Sequence, residues 1–172
     1  HEKDNSINLQ LQEQNIIPKI KYKYNHFILE GGSIDSNGKG TILTTSKCLL
    51  NKNRNPNLSK KEIENMLLES LGIKKTLWLN HGLIPGDDTN SHIDTLARYC
   101  DEKTIVYSIN DSNELKSMEE ELKIIALEHQ YELIPIDLPE PIFYDERELP
   151  ASYVNFLITN KSLLTKILSG IP

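Results

Sequence analysis

Two short segments carry most of the chemistry in this chain. Leu29-Glu30-Gly31-Gly32-Ser33 sets a carboxylate ahead of two glycines, and Gly86-Asp87-Asp88-Thr89-Asn90-Ser91-His92-Ile93-Asp94 supplies three more carboxylates and an imidazole. A guanidinium is flat, delocalised and always charged, so carboxylates lying in its plane bind it through paired, charge-assisted hydrogen bonds. An imidazole beside them can hand a proton to a departing amine and then take one from water. Hydrolysing a guanidinium also needs a nucleophile for its central carbon, best a thiolate, and neither segment contains one. Residues two apart on a strand share a face, so a strand here sends His92 and Asp94 one way and Ile93 into the packing. Gly31 and Gly32 are expected to let the backbone approach a ligand closely and to adopt dihedrals closed to other residues. His-x-Asp beside Asp87-Asp88 would also suit a divalent ion of a metal hydrolase. No further cluster of such ligands supports that alternative, so no metal or cofactor is expected.

These residues need a scaffold, and a chain of 172 residues can bury one core, which makes residues 1–172 a single domain. It opens without methionine and closes on Leu168-Ser169-Gly170-Ile171-Pro172 with no convincing final element, and so reads as cut at both ends. With 25 acidic residues against 19 Lys and Arg, the net charge of −6 disfavours a nucleic-acid partner and suits a small cation. No window approaches the apolar length of a membrane span, and His1-Glu2-Lys3-Asp4-Asn5 is not a signal peptide. A cytoplasmic protein with no membrane partner is expected. Cys48 and Cys100 are too few and too isolated for a disulfide framework or a zinc knuckle, and read as small buried side chains.

The chain order is repetitive. Phe27–Ile34 reads as extended, Asp35-Ser36-Asn37-Gly38-Lys39-Gly40 as a turn, and Thr41–Thr45 as a second strand. Ser59-Lys60-Lys61-Glu62 is a capping box for a helix to Leu71 with Ile63, Met66, Leu67 and Leu71 on one face, Gly72 is its C-terminal cap, and Thr76–Leu79 is a buried strand. The same order follows with strands at His92–Tyr99 and Thr104–Ile109, a helix over Ser112–Gln130 carrying Leu115, Met118, Leu122 and Ile125, and a strand at Leu133–Ile136. A third copy begins at Ala151 after the proline-punctuated loop 138–150. Modules near 27–79, 92–137 and 151–160, each ββαβ, imply an array or ring of units, here incomplete. Unpaired strand edges would favour self-association, so a homo-oligomer is open.

Other candidates have plainer readings. Arg54, in Asn53-Arg54-Asn55-Pro56, is expected to brace a loop through its donors, with a binding role open. His81 reads as a loop residue, His129 as an exposed helix residue, and Glu119-Glu120-Glu121 as a solvated helix face.

The segments Glu30-Gly31-Gly32-Ser33-Ile34, Gly38 to Thr45, Cys48-Leu49-Leu50-Asn51, Asn53-Arg54-Asn55-Pro56, Asp87-Asp88-Thr89, His92-Ile93-Asp94 and Tyr153-Val154-Asn155-Phe156 together resemble the agmatine deiminase family, also called Porphyromonas-type peptidyl-arginine deiminases. The resemblance implies a pentein fold, an α/β propeller of ββαβ modules around a central site. It implies that Glu30 and Asp94 hold the guanidinium, that His92 is the acid and base, and that Asp88 and Asp87 touch substrate. Cys48 falls where the family has a structural cysteine. The family's first catalytic aspartate, in a Trp-x-Arg-Asp segment, and its nucleophilic cysteine, in a Gly-rich segment ending His-Cys, have no counterpart among these residues, and after Asn160 the resemblance ends. The expectation is therefore a segment of an agmatine deiminase that binds part of its substrate without turning it over. An arginine or peptidyl-arginine deiminase, or a non-catalytic remnant serving as a binding or assembly module, are the alternatives.

Overall fold

The computed structural model describes residues 6–19, 21–22 and 27–165, so the ends His1–Asn5 and Leu168–Pro172 lie outside the described residues. A short helix, α1 (Ile7–Glu13), comes first and buries no residue. The first module starts with the hairpin of β1 (Ile34–Ser36) and β2 (Thr41–Thr45), paired antiparallel with Ile34 opposite Thr44. Asn37 closes its turn by accepting from Lys39 N at 2.9 Å and Thr41 N at 3.2 Å, the local bonding that places asparagine in turns. A single-turn helix, α2 (Ser46–Leu49), follows β2 directly, capped by Thr45.

Helix α3 (Lys60–Leu71) has the expected capping box between Ser59 and Glu62, and Gly72 ends it in the left-handed conformation. Ile63 and Leu67 are its buried residues; Leu71, expected on the same face, is half exposed because the chain is already turning at Gly72. Strand β3 (Lys75–Leu79) then lies parallel to β2. The second module repeats this connectivity. Strand β4 (Ala97–Tyr99) pairs antiparallel with β5 (Thr104–Ile109), helix α4 (Asn113–His129) crosses over, and β6 (Glu132–Asp137) lies parallel to β5. Pro135, which cannot donate to a ladder, sits on β6 because that strand is an edge. Two hairpins follow, β7 (Phe143–Tyr144) with β8 (Arg147–Glu148) and β9 (Phe156–Ile158) with β10 (Leu163–Thr165).

Alternation along β2 joins the modules. Ile42 points to one side and packs with Leu49, Ile63, Leu67 and Trp78 under α3. Leu43 points to the other and meets Leu77, Leu79, Ile93, Leu96, Leu115, Met118 and Leu122, a core to which both modules contribute. Each such buried aliphatic side chain contributes about 1.5–3 kcal/mol, so α4 is held by both sheets. A polar seam reinforces this: Asp35 of β1 accepts from Arg98 Nε and, at 2.6 Å, from Tyr99 N, while Arg98 Nη1 donates to Phe156 O at 3.0 Å.

Two expected strands begin later than the sequence pattern implies. Gly31–Ser33 and Ile93–Thr95 are single 3-10 turns, and only Ile34 and Ala97 open the ladders. The glutamate run on α4 is not uniformly solvated either: Glu120 faces water, whereas Glu119 accepts from Tyr107 OH at 3.0 Å. Glu121 accepts from Asn80 N at 2.8 Å and lies 2.9 Å from His81 Nδ1, which ties the end of β3 to the helix. His129 ends α4 half-buried, edge-on to Tyr131 at 5.9 Å, rather than exposed. Among the described residues no helix is long and apolar enough to cross a membrane.

Candidate active site

The two 3-10 turns are equivalent places in successive modules, and they carry the site. In the first, Ser33 donates through both N and Oγ to Glu30 O, at 3.0 and 2.6 Å. In the second, Thr95 donates through N and Oγ1 to His92 O, at 3.4 and 3.0 Å. A hydroxyl three residues on thus closes each turn and leaves Glu30 and His92 at its head, with backbone dihedrals outside the helical range. Ile93 is fully buried while His92 and Asp94 are half-buried, so the side chains part as expected, although a 3-10 turn and not a strand produces it.

Glycine is needed at one of the two positions after Glu30, for a reason the sequence does not disclose. A Cβ on Gly32 would lie 2.6 Å from His92 Nδ1 and 2.8 Å from Asp94 Oδ2, whereas one on Gly31 would meet nothing. Neither glycine has a left-handed φ. The close approach is thus made to the imidazole and carboxylate of the next module, which converge over the Gly32 backbone.

Glu30 stands on the other side of the imidazole. Its Oε2 lies 3.3 Å from His92 Nε2, yet not along a hydrogen bond, so that nitrogen is a buried polar atom with no hydrogen-bond partner among the described residues. Glu30 is also gripped by Arg54, whose Nε donates to Oε2 and whose Nη2 donates to Oε1 at 3.2 Å. The remaining donors of Arg54 reach Thr89 O at 2.8 Å, Asn90 Oδ1 at 2.8 Å and Asn53 Oδ1 at 3.2 Å. All five N–H groups are therefore engaged, and the guanidinium joins Glu30 to the loop preceding His92. Arg54 beside it holds the Glu30 carboxyl below its ordinary 4.5. Burial pushes Asp94 upward despite the attraction of His92 and Arg98.

Asp87 is engaged within its own loop. Its carboxylate accepts from Thr89 N at 3.1 Å, from Thr89 Oγ1, and from Ser91 N at 2.6 Å, the bonding that holds Asn90 and Ser91 at positive φ. Asp87 thus anchors its loop, and it also lines a cavity with Asn51, Asn90 and Ser91. Asp88 lies exposed on the same loop, outside this hydrogen-bonded cluster. Sequence spacing also missed Cys48, whose Sγ lies within 4.8 Å of donor atoms of Glu30 and His92. Fully buried on α2, its thiol is pushed up to about 11, chiefly by burial. Cys100 lies apart, half-buried beside Val106, Val154 and Phe156.

The arrangement presents two carboxylates and an imidazole from adjacent modules, with the Glu30 carboxylate partly open to solvent, which is the chemistry for binding a flat cation and moving a proton at its edge. The chain is 35% identical over 174 residues to the agmatine deiminase of Medicago truncatula, covering 86% of this chain and 46% of that protein. It superimposes on a Cys-to-Ser variant of C. jejuni agmatine deiminase with substrate bound, at TM-score 0.83 and 44% identity, over 93% of this chain and 48% of that one. For agmatine deiminase of Enterococcus faecalis the TM-score is 0.78 at 28% identity, over 94% and 50% of the two chains. The chain spans about half the length of these relatives. The family match runs over residues 1–169, past Asn160 where the resemblance was expected to end. The fold is thus that of the pentein deiminases, and the chain belongs to the Porphyromonas-type peptidyl-arginine deiminases.

Proposed function

We propose that these residues form the guanidinium-binding and proton-transfer part of an agmatine deiminase, converting agmatine and water to N-carbamoylputrescine and ammonia. The observation that carries the reading is the convergence of Glu30, His92 and Asp94 from two modules. Glu30 and Asp94 take the N–H edges of the guanidinium. A cysteine thiolate attacks the central carbon, His92 gives a proton to the nitrogen leaving as ammonia, and the amidino-thioether is then hydrolysed by water that His92 deprotonates. Cys48 is unsuited to the attack, because at about 11 its buried thiol is almost wholly protonated at neutral pH. The nucleophile is therefore assigned to the Gly-rich, His-Cys segment that the family resemblance supplies and these 172 residues lack.

Agmatine is preferred to arginine because the groups gathered here are acidic: among the described residues Arg54 has every donor engaged, and Arg98 is committed to Asp35 and Phe156 O. Calorimetric titration of the chain with agmatine and with arginine tests this. Heat with agmatine, lost in Asp94→Asn and much weaker with arginine, is expected. No heat from a folded chain would leave the family relationship standing and refute the binding site.

A further inference from the structure

We propose that Glu30, Cys48 and His92 form a site for a thiophilic divalent ion, zinc(II) above all, and that such an ion reversibly competes with the guanidinium ligand. The competition rests on the function proposed above; the ion site does not. One ligand atom from each residue lies within 4.8 Å of the others. Zinc bonds of about 2.3 Å to sulfur and about 2.0–2.2 Å to nitrogen or oxygen put tetrahedral donors nearer together than this, so small side-chain rotations close the set. Thiolate, imidazole and carboxylate together suit zinc better than calcium or magnesium.

A second observation points the same way. His92 Nε2 is buried, faces Glu30 and makes no hydrogen bond, while Nδ1 lies on the Gly32 side, where Asp94 Oδ2 also converges. A carboxylate on the far side of a ligating imidazole is the usual support for a metal-bound histidine. Arg54 does not block the site. A carboxylate has about four lone-pair directions, of which the guanidinium takes two. Three protein ligands leave a fourth position for water. On binding, the Cys48 S–H bond breaks, a sulfur–metal bond forms and the proton passes to solvent. The bound ion holds Glu30, which the guanidinium also needs, and occupies the space beside His92.

Cobalt(II) titration of the purified chain reads this directly. The expected result is a thiolate-to-cobalt charge-transfer absorption saturating at about one equivalent, with about one proton released. Cys48→Ala removes the band and Cys100→Ala keeps it. Should Cys48→Ala fail to fold, His92→Gln serves instead and weakens cobalt binding about tenfold or more. Agmatine raises the apparent cobalt dissociation constant in proportion to its concentration. A folded chain that gives no band, or a band that depends on Cys100, overturns the site. Cobalt binding indifferent to saturating agmatine overturns the competition. Zinc-free protein that binds cobalt but gives no heat with agmatine refutes the proposed function and leaves the site intact.

Discussion

Replacing Arg54 should loosen the site and the domain together. Arg54 is 8% exposed and its guanidinium donates five hydrogen bonds, so Arg54→Met strips a charged donor from four acceptor groups while keeping most of the apolar stem. The Thr89 carbonyl loses a bond of the charged kind, about 1.5–3 kcal/mol. Asn90 and Asn53 reach water more easily, and about 1 kcal/mol between them is reasonable. Glu30 is 44% exposed and rehydrates, so its ion pair is screened and adds no more than about 1 kcal/mol. The total is about 2.5–5 kcal/mol, which for a domain of this size lowers Tm by roughly 5–20 °C. Urea denaturation and differential scanning calorimetry of wild type, Arg54→Met and Arg54→Lys measure it. Lysine keeps the charge but not the fork, so it should recover less than half of the loss. Glu30→Gln in the Arg54→Met background should add less than it does alone, since the partner is already gone. A midpoint within about 0.5 kcal/mol of wild type in Arg54→Met would refute the bracing role.

Gly32→Ala forces the tips of His92 and Asp94 aside, since its Cβ would lie 2.6 and 2.8 Å from them. It should cost about 1 kcal/mol of stability yet weaken agmatine binding tenfold or more, as calorimetry would show. With its thiol near 11, Cys48 is about one part in a thousand thiolate at pH 8, so iodoacetamide should label it in urea but scarcely in buffer, as peptide mass spectrometry would reveal. Burial works against the charge of Glu121, but donors from Asn80 and His81 outweigh it and hold its carboxyl below 4.5. Its stabilising contribution is therefore full above the unfolded carboxylate range and is lost as pH falls through the lowered folded value, so Glu121→Gln should flatten the acid limb of the stability profile below pH 4.5.

Much of the scaffold was legible because its signals are local. Ser59 and Glu62 mark a helix start by reciprocal bonding, Gly72 marks its end, and Leu115, Met118 and Leu122 share a face by spacing alone. The grouping of Glu30, His92 and Asp94 was legible in part, since carboxylates and an imidazole in two short motifs stand out from the rest of the chain. What spacing could not show is non-local. Arg54 finds Glu30 across 24 positions, Asp35 finds Arg98 across 63, and Cys48 comes under the imidazole only because β2 ends in the single turn of α2. The two 3-10 turns were missed for a different reason. Alternating burial across His92, Ile93 and Asp94 imitates a strand, and the hydroxyls of Ser33 and Thr95, three residues past Glu30 and His92, are the signal that separates the two readings.

That pair of hydroxyl-closed turns explains why one short motif from each module suffices to build the site. Each turn stops its strand from extending further, so the residue at its head leaves the sheet instead of alternating across it. Packing the sheets through Leu43, Ile93 and Leu115 brings the heads of the two turns together, and Asp35 bonding Arg98 and Tyr99 fixes their register. Glu30 and His92 therefore meet at a junction between modules, where neither module alone could hold them. The charge at that junction follows from the same geometry. Arg54 offsets much of the charge of Glu30, and the desolvated carboxylate of Asp94 lies on the opposite side of the imidazole. On the proposed function, an incoming cation would be drawn between a carboxylate already oriented by a guanidinium and one that gains most from a new partner, so Asp94→Asn should weaken agmatine binding more than Glu30→Gln in calorimetric titration.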